Sequence, residues 1–70
     1  MEKEEFEKRF GTIAKEQGFV TTEQVIEALE IQVKENMEKG KHRFIGQILT
    51  DLGYLTESQL KEVLKLMGIY

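Results

Sequence analysis

The chain has 70 residues, 40% of them hydrophobic and 33% charged, with a formal net charge of −3. That length holds one domain, and the balance is that of a folded globular chain rather than a disordered one. The absence of cysteine excludes disulfide scaffolds, thiolate metal sites and cysteine nucleophiles.

Phe6, Phe10, Ile13 and Ala14 share one face and predict a helix over 3–17, which Gly18 stops. Thr21-Thr22-Glu23-Gln24 then reads as a capping box, with Val20 and Val25 at the spacing of a hydrophobic staple. The helix it opens spans 22–39, carries Val25, Ala28, Leu29 and Val33, and ends at Gly40. Lys41-His42-Arg43 follows and, with Lys39, forms the one basic cluster of the sequence. Ile45, Ile48, Leu49 and Leu52 predict a third helix over 43–52, stopped by Gly53. A second capping box, Thr56 to Gln59, opens a fourth over 57–67 with Leu60, Val63, Leu64 and Met67 on its apolar stripe. No window alternates with period two, so no strand is expected.

Displacing the sequence by 35 residues aligns its two halves. Gly11, Ile13, Gly18, Thr21, Gln24, Glu27 and Leu29 fall on Gly46, Ile48, Gly53, Thr56, Gln59, Glu62 and Leu64. Seven identities in 23 positions exceed the roughly one or two expected by chance. The expected fold is therefore all-α: four helices forming two pseudo-symmetric helical hairpins within a single domain, 1–70. Unit one is 9–32, the spacer 33–43 and unit two 44–67. The expected core is Phe6, Phe10, Ile13, Val25, Leu29, Ile48, Leu52, Leu60 and Leu64.

The residues for catalysis are missing. One histidine, no cysteine and no Ser-His-Asp arrangement leave no nucleophile with its base, and His42 sits on a turn beside Lys41 and Arg43. Scattered surface carboxylates with one histidine make no metal ligand set, and the glycines form neither a Walker loop nor a strand-led GxGxxG. The sequence predicts a protein that is not an enzyme, with no metal, no cofactor and no catalytic residue. Helix, glycine turn and helix is also the outline of a DNA-binding motif. Here the recognition helix would present Glu23, Glu27 and Glu30 to phosphate, which argues against nucleic acid. The 35-residue offset approaches the tetratricopeptide period, but that family's tryptophan, tyrosine and proline markers are missing. No apolar run approaches a membrane span, and the acidic N-terminus lacks the order of a signal peptide, so a cytoplasmic protein without membrane insertion is expected.

Arg9-Phe10-Gly11, followed by Gly18, Phe19-Val20, Val25, Ala28-Leu29 and Gln32, resembles a family pattern of Arg-Leu-Gly, a downstream glycine, and a helix ending Ala-Leu-x-x-Gln. That pattern looks like the N-terminal domain of the bacterial type II secretion and type IV pilus assembly ATPases. The resemblance covers 9–67 and implies a tandem helical domain, here as a small stand-alone relative running from Met1 to Tyr70. Some members of that family dock a partner protein of the secretion machine through this domain, and others bind cyclic di-GMP. In the nucleotide mode the resemblance implies that Arg9 and Gln32 touch guanine or phosphate. Gly11 and Gly18 would then let backbone approach, with Phe10 and Leu29 as apolar floor. Gly46 is the second unit's counterpart of Gly11. Phe44 stands where the second arginine would be and Met67 where the second glutamine would be, leaving Arg43 as the candidate substitute. The expected function is a non-catalytic protein-interaction or regulatory module, its partner a protein of a secretion or pilus system. Cyclic di-GMP binding is the alternative. Phe19, Tyr54, Ile69 and Tyr70 are the candidate docking residues.

Overall fold

The computed structural model describes residues 2–69, and Tyr70 lies outside them. The chain folds into four helices: α1 Glu2–Glu16, α2 Thr22–Lys39, α3 Ile45–Asp51 and α4 Glu57–Leu66. Among the described residues there is no strand.

Both glycine stops behave as the sequence predicts. Gly18 and Gly53 take φ of 77° and 84°, a region that costs a residue with a Cβ about 1 kcal/mol or more. Each closes a Schellman motif. The Phe19 N–H donates to the Ala14 carbonyl and the Tyr54 N–H to the Leu49 carbonyl, both at 3.0 Å. Three residues beyond each glycine, the next helix begins with a reciprocal capping box. The Gln24 N–H donates to the Thr21 hydroxyl at 3.1 Å and the Thr21 N–H to the Gln24 side-chain carbonyl at 2.9 Å, with Thr56 and Gln59 repeating this at 3.0 and 2.9 Å. Thr56→Ala removes an acceptor that no other group replaces, so urea denaturation should show a loss of about 0.5–2 kcal/mol. An unchanged midpoint would refute that role.

The short helix α3 is the hub of the packing. It lies against α1, α2 and α4, and α1 also packs on α4. Ile45, Ile48 and Leu49 of α3 are buried with Phe10 and Ala14 of α1, Ala28 of α2, Val63 of α4, and the inter-helix residues Val20 and Leu55. Ile13, Val25, Leu60 and Leu64 pack half-buried against this core, and Phe6 stacks on Phe10 and meets Phe44 edge-on. Two residues expected in the core are not there. Leu29 is 38% and Leu52 37% exposed. On α2 the inward position is taken by Ala28, which lets α3 approach closely, so its neighbour Leu29 turns outward. The third helix also starts two residues later than the apolar spacing implies, because Phe44 is extended (φ −82°, ψ 161°) and serves as its N-cap.

Candidate functional site

Because α1 and α2 both rest on α3, an open groove of about 610 Å³ remains between them. Its floor is apolar: Gly11 of α1, Val25 and Leu29 of α2, and Ile45 of α3. Gly11 brings the α1 backbone close to α2, since a Cβ there would lie 3.1 Å from Val25 Cγ1. On the α1 side, Lys8, Thr12 and Lys15 follow the i, i+4, i+7 spacing of one helix face and line the groove. Lys41 and His42 of the segment between α2 and α3 also line it, as does Asn36 of α2. Among the residues whose side chains are described, Glu7, which is buried and engaged in hydrogen bonds, is the one carboxylate lining the groove. A chain of net charge −3 thus gathers three lysines around one apolar floor. Such a surface suits an anionic amphipathic occupant.

A polar junction lies beneath the groove. The Glu7 side chain is 6% exposed and receives the Gln32 amide at 2.6 Å and the Ile45 N–H at 3.2 Å. The second of these contacts caps α3, whose own N-cap residue, Phe44, supplies no side-chain acceptor. The same Gln32 amide also donates to the Arg43 carbonyl at 3.0 Å. Gln32 therefore ties α1, α2 and the entry to α3 together, and both its recorded donor contacts go to protein groups. Arg43 points the other way. Its guanidinium forks onto Glu35 at 2.6 and 3.0 Å and also pairs with Asp51. The Arg43 hydrogen bond holds the Glu35 carboxyl below its ordinary range, and the same bond pushes Arg43 up.

A carboxyl whose pKa falls on folding stabilises the native state above its unfolded value. That contribution fades as pH drops through the lower, folded value. Glu35→Gln should therefore flatten the loss of stability below about pH 4.3, the ordinary glutamate value. Urea midpoints of variant and parent between neutral pH and pH 3 give the comparison. Parallel curves would mean that the fork contributes nothing.

The residues named from the sequence separate into three groups. Gly11, Leu29 and Gln32 come together at the groove. Arg9 is exposed on α1 but does not line it, being one helical step round from Lys8. Phe10 is fully buried, Gly18 caps α1, Arg43 is engaged by Glu35 and Asp51, and Gly46 is packed against Phe10 and Leu60. Of the candidate docking residues, Phe19 and Tyr54 pack half-buried on the core, and the Tyr54 hydroxyl donates to Glu27 at 2.8 Å. That bond and burial raise the Tyr54 pKa. Ile69 is exposed, and Tyr70 is outside the described residues. The groove cations Lys8 and Lys15 carried no motif in the sequence; their seven-residue spacing was the available signal. Among the described residues no group of three or more potential metal ligands converges, and no helix is long and apolar enough to cross a membrane.

No protein-family model matches the chain, and comparison with curated proteins and with solved structures finds no significant match.

Proposed function

We propose that this chain is a non-catalytic, cytoplasmic protein-interaction module that takes an acidic amphipathic segment of another protein into the groove between α1 and α2. The observation that carries this reading is the pairing of an apolar floor with Lys8, Lys15 and Lys41 on an otherwise acidic molecule. Burial of apolar side chains would supply affinity, and the lysines would select charge and speed encounter. The resemblance to secretion and pilus ATPase N-terminal domains suggests a partner from such a system.

Cyclic di-GMP is the second reading, favoured by Gly11, Leu29 and Gln32 meeting in one cation-rimmed groove. Against it stand the position of Arg9 outside that groove and the commitment of the Gln32 amide to Glu7 and Arg43. Freeing that amide would break a charge-assisted hydrogen bond in the fold itself.

Fluorescence anisotropy with a labelled synthetic helix, leucine on one face and glutamate elsewhere, tests the proposal. Binding should be saturable, should weaken as salt rises, and should fall at least about tenfold in Lys8→Glu/Lys15→Glu. A peptide with lysine in place of glutamate should not bind. Equal binding of the two peptides, or none of either, would refute the reading.

A further inference from the structure

Helix α2 is apolar on two sides, and its own chain covers only one. Ala28 is fully buried against the core, whereas Ile26, Val33 and Met37, on the outward side, are 50%, 54% and 81% exposed. With Leu29 they recur at i, i+3, i+7 and i+11, a continuous apolar stripe over three helical turns. A stripe of that extent on a small domain marks a contact surface.

The charges beside the stripe identify what covers it. A shallow depression along it is lined by the four apolar residues and by Glu30 and Lys34, one acid and one base a single turn apart on the same flank. Two α2 helices laid antiparallel about a twofold axis midway between Ile26 and Met37 make this surface self-complementary. Ile26 of each copy then meets Met37 of the other, and Leu29 and Val33 pack about the axis. Glu30 of one copy comes level with Lys34 of the other to within about one residue's rise, about 1.5 Å, and the pair occurs twice. Parallel pairing would instead put this flank of the two copies on opposite sides of the seam, so that neither Glu30–Lys34 pair could form. The neighbouring Glu27, which could repel a second copy, is held by the Tyr54 hydroxyl. We infer that α2 is the interface of an antiparallel, twofold-symmetric homodimer, closed by two reciprocal Glu30–Lys34 pairs. This goes beyond the groove and its occupant, but Ile26, Leu29 and Val33 also line the groove, so a second copy and a groove occupant would compete for this side of α2.

Sedimentation equilibrium of the full chain from micromolar to millimolar concentration tests it. The parent should show a reversible monomer–dimer equilibrium, and Val33→Glu should remain monomeric with an unchanged circular dichroism spectrum. Glu30→Lys and Lys34→Glu should each weaken the dimer by about tenfold, since each sets like charges together twice. The double reversal should restore the parent's association. A parent that stays monomeric overturns the proposal and leaves the groove reading intact. So does a dimer indifferent to Val33→Glu, or single reversals without effect or without rescue.

Discussion

Glu7→Ala should cost about 2–4 kcal/mol in urea denaturation, the sum of a charge-assisted hydrogen bond and the desolvated donors left behind. A domain of this size has only about 5–15 kcal/mol in total, so the variant should be close to unfolding at physiological temperature. The carboxylate is the one buried charged side chain among the described residues, and it receives both the Gln32 amide and the Ile45 N–H. Removing it orphans a donor at the start of α3, the helix on which the other three rest. Glu7→Gln keeps the volume but turns an amide N–H toward one of two donors, so a smaller loss of about 1–2 kcal/mol is expected. Arg9→Ala, two positions along and exposed, should change stability by no more than about 0.5 kcal/mol. Equal effects of Glu7→Ala and Arg9→Ala would show that the junction is not holding α3.

Gly46→Ala is expected to destabilise by about 1–3 kcal/mol, although alanine is by propensity the better helix former by about 1 kcal/mol. A Cβ at this position would lie 2.8 Å from Phe10 Cζ and 3.0 Å from Leu60 Cδ1. Phe10 is fully buried, so its ring has little room to retreat. Its counterpart Gly11 is less constrained. There the nearest atom is Val25 Cγ1 at 3.1 Å, on a half-buried side chain at the groove wall. Gly11→Ala should consequently be near neutral, while narrowing the groove. Adding Phe10→Leu to Gly46→Ala should recover part of the loss beyond additivity, because it makes room for the new methyl group. Additive effects would mean that ring and methyl do not collide.

Local grammar was legible in the sequence, and long-range geometry was not. The glycine stops at 18 and 53 and the boxes opened by Thr21 and Thr56 depend on groups within five residues, so spacing alone reveals them. Four helices and an all-α fold follow from those marks. The cap of α3 comes from Glu7, 38 residues before Ile45 in the chain, and no local pattern announces it. Gln32 looked like a free ligand-reading group because its partners, Glu7 and the Arg43 carbonyl, meet it only after α1, α2 and the spacer converge. Leu29 and Leu52 fit the apolar period yet face outward, since periodicity finds a face without saying whether anything covers it. For the same reason the exposed apolar surface is not the one expected. Phe19 and Tyr54 are drawn onto the core, while Ile26, Val33 and Met37 stay open.

An amide-resolved NMR titration of the labelled chain, run in parallel with the acidic amphipathic peptide and with cyclic di-GMP, tests the interaction reading most directly. The reading predicts saturable shifts at Gly11, Thr12, Lys15 and Leu29 with the peptide. It predicts none of comparable size with excess nucleotide, and a Gln32 side-chain amide that keeps its place in both. Saturable nucleotide shifts at those residues, in the micromolar range and accompanied by displacement of the Gln32 amide from Glu7, would contradict it and establish the nucleotide reading instead.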